Sequence, residues 1–321
     1  MTEITIQKND AGQRADRFLS KAYPNLKSSL VCKLMRKKRI KLNGAKAEPN
    51  VILKEGDVLR FYLSDELLAK EPIKREVELS DISAEINVIY EDENILLIDK
   101  PAGLVVHEDN DNSVDTLINR VLSYLYQKGE YVPEHENSFV PALVNRIDRN
   151  TSGIVIAAKN AEALRILNQK VRDREIQKLY LCEVIGTPKP ESATLTAYLK
   201  KLPDENRVII SDKKEDGFLT IKTKYRVLKS SGELSLVEVD LLTGRTHQIR
   251  AHFAHIGHPL LGDGKYGDNA VNKRYHAKTQ ALCSFRLIFR FTADAGVLEY
   301  LNGKEFSVRE EDDIWFVTRF H

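Results

Sequence analysis

The stretch "VNRIDRNTSGIVIAAKN", residues 144–160, carries the pattern from which the fold can be worked out. It places an acid, Asp148, between two arginines and runs through a Thr-Ser-Gly sequence into the apolar residues 154–158. A short apolar run of this kind predicts a buried strand. Asn160 follows the run and can cap a helix after it. An acid in such a turn is often merely solvated, so a catalytic role for Asp148 depends on the rest of the chain.

Strand and turn signals dominate on both sides of this stretch. Period-2 patterns predict strands in residues 178–186, 218–227, 234–242 and 283–291. Residues 88–107 alternate strand, Asp-Glu turn, strand, Pro-Ala-Gly turn and strand, and residues 114–125 have apolar side chains at helical spacing. Hairpins with few helices predict an α+β body, residues 85–321, with a mixed, largely antiparallel sheet.

The composition bounds the class of protein. A chain of 321 residues that is 42% hydrophobic can bury a substantial core in one large or two to three smaller domains, and it contains no apolar run long enough to cross a bilayer. The amino-terminus lacks a signal-peptide pattern, and three widely spaced cysteines favour a reducing compartment over a disulfide framework. We therefore expect a cytoplasmic protein, and we expect it to be a monomer.

Two sequences look like ligand sites without the context that such sites need. The "GDGKYG" of residues 262–267 matches a dinucleotide loop but follows His-Pro and has no helical pattern directly after it. Three histidines at three-residue steps, in residues 252–258, have no thiolate or carboxylate at ligand spacing. We expect no cofactor and no metal.

Charge is distributed unevenly along the chain. Residues 1–63 contain nine Lys and five Arg against six acidic residues, a net charge of +8, whereas the remainder has a net charge of −6. Two helix patterns in this segment precede an Asn-Gly hairpin signal at residues 43–44. A small basic module on a larger acidic body predicts a nucleic-acid-binding appendage, joined by a charged linker of residues 64–84.

The order of elements in residues 1–63 resembles the S-four-type (αL) RNA-binding domain. The resemblance implies that the second helix and the loop after it lie on RNA. The residues it implicates are Ser28, Ser29, Lys33, Arg36, Lys37, Lys38 and Arg39. A solvated helix face is the alternative interpretation, because runs of charge are usually that.

Four stretches of the body resemble, in order, the RluA/RluD-type pseudouridine synthases. They are "DKPAGLVVH" (residues 99–107), "NRIDRNTSG" (145–153), "QKLYLCEVIG" (177–186) and "LTGRTHQIRAHFAHIGHPLLGDGKYG" (242–267). The chain departs from the family pattern at Asn145, where the family usually has His, at Ile147, and at the "LCSF" of residues 282–285. These departures suggest a branch separate from the best-known members.

The resemblance implies an RNA uridine-to-pseudouridine isomerase, with large-subunit ribosomal RNA as the expected partner and tRNA as an alternative. The base leaves its ribose, turns and reattaches through carbon 5. Cleaving and remaking a glycosidic bond requires a carboxylate, as in retaining glycosidases. That carboxylate can attack the anomeric carbon or remove a sugar proton to give a glycal, and the sequence leaves both routes open.

The resemblance also assigns the site residues. Asp148 is the catalytic carboxylate, Arg245 is its cationic partner, and Tyr180 stacks on the base and assists proton transfer at carbon 5. Arg146 helps to hold the flipped nucleotide, and Leu287 contributes an apolar wall. Each residue also has a local interpretation, since Asp148 could simply cap a turn and Tyr180 could be an ordinary strand aromatic.

Two other classes of function compete with this one. A non-catalytic RNA-binding or ribosome-assembly protein could keep the same fold, but the joint presence of Asp148, Tyr180 and Arg245 favours an enzyme. A hydrolase of free nucleosides would need no basic appendage to follow phosphates. The leading hypothesis is therefore an RNA pseudouridine synthase.

Overall fold

The computed structural model describes residues 2–69, 78–108, 114–202, 205–308 and 314–320. Within these ranges the strands form two separate sheets, one in the basic amino-terminal part and one in the remainder. The amino-terminal elements are β1 (Thr2–Thr5), α1 (Ala15–Ala22), α2 (Ser28–Arg36), β2 (Ile40–Leu42), β3 (Ala45–Lys46) and β4 (Val58–Phe61). The four strands pair antiparallel in the order β1-β4-β2-β3.

The amino-terminal part has a hydrophobic core of its own. Phe18 and Leu19 of α1 and Val31 and Met35 of α2 are fully buried against Phe61 of β4. The Asn-Gly pair of residues 43–44 adopts positive φ at both positions in the two-residue turn between β2 and β3, as the sequence predicted. The predicted linker lies partly outside the described residues, and its described part includes a 3₁₀ turn, Leu79–Asp81.

The body contains eleven strands and four helices in the described residues. They are β5 (Asn87–Glu91), β6 (Ile95–Lys100), α3 (Leu117–Gln127), β7 (Ala142–Leu143), β8 (Ser152–Ala158), α4 (Ala161–Arg172), β9 (Ile176–Ile185), β10 (Ser192–Leu202), β11 (Arg207–Ser211), β12 (Leu219–Ser231), β13 (Leu234–Asp240), α5 (Gln248–His255), α6 (Asn269–Arg274), β14 (Leu282–Phe289) and β15 (Glu305–Ser307). Short 3₁₀ turns lie at Pro133–His135, Gly296–Leu301 and Val317–Phe320.

These strands form one sheet of mixed direction. Its order is β11-β10-β12-β13-β9-β14-β8-β6-β5, with β15 beside β14 and β7 beside β8. Every pair is antiparallel except β14 with β8. The α+β class and the mixed, largely antiparallel sheet are therefore confirmed.

The central strand β8 explains why residues 154–158 are apolar without interruption. Ile154 and Ile156 pack into a core cluster with α4, whereas Val155 and Ala157 pack into a second cluster with α3 and α5. Both faces of the strand are thus buried, and each fully buried aliphatic side chain contributes about 1.5–3 kcal/mol. Asn160 then caps α4, accepting the Ala163 N–H at 2.9 Å, as predicted.

Some elements differ from the sequence prediction. Strands β10 and β11 were not predicted. The helix expected from residue 114 begins at Leu117, because Thr116 caps it by accepting the Asn119 N–H. The third strand expected near Val105 is reduced to an isolated bridge with Thr116. A short helix, α6, follows the GDGKYG sequence where no helical pattern was seen.

A polar loop of the amino-terminal part, residues 7–13, contacts the body through hydrogen bonds; we call it the docking loop. Its Asp10 is fully buried and accepts hydrogen bonds from Asn137 Nδ2 at 2.7 Å and Ser138 Oγ at 2.8 Å. Arg165 Nη1 of α4 donates to the Ala11 carbonyl at 3.0 Å. The loop is therefore held by several buried or half-buried polar contacts.

Among the described residues, no helix combines the length and the apolar composition needed to span a membrane.

Candidate active site

Asp148 lies in the turn between β7 and β8. Lys100, the last residue of strand β6, holds this turn in place. The Lys100 side chain is fully buried, and its Nζ donates to the carbonyls of Pro101 at 2.7 Å, Leu104 at 2.8 Å and Arg149 at 2.9 Å. Burial lowers the pKa of Lys100 to about 8, against the opposing charge of Asp148. One ammonium group thus ties the DKPAG loop to the residue that follows Asp148.

Two residues near Asp148 in the sequence, Asn145 and Gly153, determine the path of the backbone around it. Asn145 Oδ1 accepts the Ile156 N–H at 2.8 Å and Asn145 Nδ2 donates to the Ile154 carbonyl at 3.3 Å, which extends the pairing of the chain with β8. Gly153 has φ +106, and a Cβ there would lie 2.3 Å from the Ser284 carbonyl oxygen of β14. Only glycine fits this approach. Asn145 therefore holds the start of the turn that carries Asp148 against β8.

The carboxylate of Asp148 is bound by Arg250, a buried residue of α5. Arg250 Nη1 donates to Asp148 Oδ2 at 2.7 Å, while its Nε and Nη2 bind Asp263 at 2.7 and 2.9 Å. Although burial opposes the charge, the two carboxylates raise the pKa of Arg250. The guanidinium therefore remains charged, and it holds Asp148 in one orientation through a charge-assisted hydrogen bond.

A histidine completes the surroundings of the carboxylate. His247 Nε2 lies 3.8 Å from Asp148 Oδ2, and its Nδ1 lies 2.9 Å from the Tyr266 hydroxyl. That hydroxyl accepts the Val208 N–H at 2.8 Å, so its own proton is available to His247. Burial lowers the pKa of His247 to about 4, although Asp148 opposes the shift. A neutral imidazole with its Nε2–H towards Asp148 follows from these contacts.

Asp148 lines a cavity of about 980 Å³, which has one apolar side and a rim of cationic side chains. Tyr180, Ile249 and Leu282 line the apolar part. Burial raises the pKa of Tyr180 to about 12, and the negative charge of Asp148 adds to the shift. The cations of the rim are Arg146, Arg172, Arg174, Lys178, Lys222, Arg245 and Arg290. The cavity thus combines a flat apolar surface with charges that suit phosphates.

The ion pair assigned to Arg245 by the sequence was wrong. Arg245 is exposed on the cavity rim, and Arg250 makes the contact with Asp148 instead. The cause is His247, whose φ of +53° turns the chain just before α5 and separates the two arginines. Every residue from 248 to 253 is buried in α5, so no helical periodicity in the sequence marked Arg250 as the inward arginine.

The position predicted for Leu287 was also wrong. Leu287 is fully buried in the core cluster beneath α4, on the sheet face away from the cavity, together with Cys283 and Phe285 of the same strand. Leu282 lines the cavity in its place. Side chains of a strand alternate between its faces, so the two leucines, five residues apart, lie on opposite sides.

The other sequence-predicted binding residues are exposed, either at the cavity or on α2 and the loop after it. Arg146 is exposed and lines the cavity. In the amino-terminal part, the seven residues implicated in RNA contact are all exposed on α2 and the loop after it. They are Ser28, Ser29, Lys33, Arg36, Lys37, Lys38 and Arg39.

The two sequences that look like ligand sites have structural uses. Asp263 of the GDGKYG sequence binds Arg250, and it also accepts the Lys265 N–H at 2.8 Å. The three histidines of residues 252–258 bond separately to Thr223, Asp212 and the Ile185 carbonyl. Within the described part of the chain, no group of three or more His, Cys, Asp or Glu residues could hold a metal ion.

Comparisons with known proteins agree on one family. The model of the family "RNA pseudouridylate synthase" matches residues 94–255, which include Asp148, Tyr180 and Arg250. An uncharacterized RNA pseudouridine synthase of Aquifex aeolicus is 34% identical over 79% of this chain and 77% of its own length. The ribosomal large subunit pseudouridine synthase C of Vibrio cholerae is 32% identical over 86% of this chain and 82% of its own.

The fold is shared with a solved structure of low sequence identity. The human RNA pseudouridylate synthase domain containing 4 protein is 20% identical, with a TM-score of 0.57 over 73% of this chain and 92% of its own. The family match and the relatives extend this likeness from fold to activity. The chain belongs to the RNA pseudouridylate synthase family and is an isomerase that acts on RNA.

Proposed function

We propose that Asp148 is the catalytic carboxylate of an enzyme that converts uridine to pseudouridine in large-subunit ribosomal RNA. The observation that carries the assignment is the Asp148–Arg250–Asp263 chain of charges at the mouth of a cavity lined by Tyr180. Relatives named as large-subunit pseudouridine synthases support the choice of RNA.

The contacts around Asp148 suit a reactive acid. Arg250 holds Oδ2, and no described residue donates a hydrogen bond to Oδ1. Oδ1 is then the oxygen that attacks the anomeric carbon or removes a sugar proton. The facing guanidinium holds the carboxylate in one orientation through a charge-assisted hydrogen bond.

The remaining residues of the cavity bind the flipped nucleotide in this proposal. The target base has to leave its stack before Asp148 can reach the sugar. The Tyr180 ring, with Leu282 and Ile249, offers an apolar surface on which uracil stacks, and its hydroxyl assists proton transfer at carbon 5. Arg146 and Arg245 on the rim bind phosphates on either side of the flipped nucleotide.

Three further statements are predictions. We propose that residues 1–63 are an RNA-binding module of the S-four type, that residues 85–321 form the catalytic domain, and that the enzyme works in the cytoplasm as a monomer. The separate sheet and core of the amino-terminal part support this division.

The substitution Asp148→Asn tests the assignment. We expect pseudouridine formation to fall by roughly 10⁴-fold or more while RNA affinity stays within a few-fold, because the amide keeps the shape and loses the charge. Pseudouridine mapping of ribosomal RNA from cells with and without the gene identifies the target, and purified variant is then assayed on that RNA. Substantial product from the variant would rule out Asp148 as the catalytic group.

A further inference from the structure

A second cavity of about 960 Å³ adjoins the first at the catalytic turn. The two cavities share His107, Arg146, Asp148, His247 and Arg250 among their lining residues. One wall of the second cavity comes from residues 262–280, and residues 105–108 and 146–150 also line it. Asp148 therefore lies at the junction where the two cavities meet.

Buried polar contacts build the wall of residues 262–280. Asn272 Oδ1 accepts the Gly262 N–H at 2.7 Å, and Gln280 Nε2 donates to Thr151 Oγ1 at 2.7 Å. A Cβ at Gly262 would lie 2.0 Å from the Thr279 carbonyl oxygen, so the chain passes itself closely there. Thr151 lies three residues after Asp148, so its hydrogen bond with Gln280 ties this wall to the turn that carries Asp148.

The two cavities differ in chemistry. The first has Tyr180 and an apolar side, whereas the described residues that line the second include no aromatic side chain apart from histidine. The second is lined instead by Arg149, Lys265, Lys273, Lys278 and side-chain amides, with Glu108 and Asp148 as its carboxylates. Lys273 and Lys278 are exposed, so their long side chains can reach a ligand in the groove.

We propose that this second cavity, the phosphate groove, binds the sugar-phosphate backbone of RNA on one side of the target uridine. The inference rests on the proposed function, because it assigns the first cavity to the flipped nucleotide. An RNA chain continues beyond that nucleotide and has to leave the junction at Asp148. Lysines and amides without a stacking surface bind phosphates and sugars irrespective of base sequence.

The test changes the charge of the groove in the full-length protein. In Lys273→Glu/Lys278→Glu, two cations of the groove are reversed. The control Lys189→Glu/Lys304→Glu changes the net charge equally at two exposed lysines that line neither cavity. Binding of a fluorescent oligouridylate is measured at several salt concentrations, so the result does not depend on product formation. Circular dichroism verifies folding, and Lys273→Gln/Lys278→Gln serves if the reversed variant does not fold.

We expect the groove variant to lower the slope of log affinity against log salt by about 1.4, which corresponds to two phosphate contacts on a single strand. The control should retain the wild-type slope. An equal slope in the groove and control variants would overturn the phosphate groove. A wild-type protein that forms no pseudouridine in any RNA would overturn the proposed function instead, whatever the slopes.

Discussion

Arg250 binds two carboxylates, and this makes it a poor residue for testing catalysis by deletion. Removing it would leave Asp263 as an unpaired charge that is fully buried. Breaking a buried ion pair from one side costs about 3–5 kcal/mol, so an inactive variant could simply be unfolded. Asp148 is half-buried at the cavity mouth, and its conversion to Asn removes charge without leaving a buried ion alone in the core.

The contact between Tyr266 and His247 gives a prediction for a residue outside direct reach of Asp148. In Tyr266→Phe the Val208 N–H and His247 Nδ1 both lose their partner, and the imidazole beside Asp148 loses its fixed orientation. We expect a stability loss of about 1–3 kcal/mol and a roughly tenfold lower single-turnover rate, with RNA affinity unchanged. Thermal unfolding and single-turnover assays measure the two effects.

The control for this variant is Tyr198→Phe. Tyr198 lies on strand β10, which pairs with the strand β11 that contains Val208, and it lines neither cavity. A loss of stability in Tyr266→Phe with a wild-type rate would mean that His247 supports the fold and does not influence the carboxylate.

At the scale of single residues the sequence predicted that Asp148 and Tyr180 lie at one site, and both line the first cavity. It could not choose between two arginines of one motif. Arg245 and Arg250 are five residues apart, and the left-handed backbone of His247 between them decides which one turns inward. Leu287 and Leu282 present the same difficulty. Which face of a strand lies towards the site depends on the neighbouring strands, and these come from distant parts of the chain.

Among the elements, those with strong local signals were predictable. The buried run of β8, the Asn160 cap and the Asn-Gly turn all form as expected. Strands β10 and β11 were missed. Strand β10 contains several small and polar residues, and it forms a strand because it pairs with β11 and with β12, which comes later in the chain. Strand propensity of this kind reflects packing more than local preference.

Strand β9 gives a prediction that depends on pH. Burial raises the pKa of Glu183 to about 7, although the adjacent Arg319 opposes the shift. A carboxyl with a raised pKa stabilises the fold while it is protonated, and this contribution is lost as the pH rises from about 4.5 through 7. We expect Glu183→Gln to equal wild type in stability at pH 4 and to exceed it by roughly 2 kcal/mol at pH 8.

Urea unfolding across this pH range measures the difference. Glu238→Gln on the adjacent strand β13, where Glu238 pairs with Arg226 nearer the surface, is the matched control. A pH-independent difference between Glu183→Gln and wild type would show that the Glu183 carboxyl is charged throughout and that its pair with Arg319 outweighs burial.

For the whole molecule, the uneven charge predicts where RNA affinity resides. We expect the triple change of Lys33, Arg36 and Lys37 to Gln to lower the salt slope of RNA binding by about 2, because each phosphate contact on a single strand contributes about 0.7. The chemical step at saturating RNA should remain, since the proposed catalytic residues lie in the body, outside residues 1–63. Fluorescence anisotropy at several salt concentrations measures the slope.

The matched control changes three exposed lysines of residues 1–63 to Gln. They lie outside α2 and are Lys21, Lys46 and Lys54. Equal slopes for both triple variants would mean that α2 is a solvated face and that the module attracts RNA only through its total charge.

The docking loop has a consequence for how a target is chosen. The contacts of Asp10 and Arg165 fasten the amino-terminal part to the body, so the protein sets the distance from α2 to Asp148. If α2 holds RNA and Asp148 acts on the uridine, as proposed, we expect the enzyme to measure distance across a folded RNA. Two uridines in the same local sequence are then distinguished by how far each lies from the helix or loop that the module grips, and an RNA that has lost its tertiary structure offers no fixed length to measure.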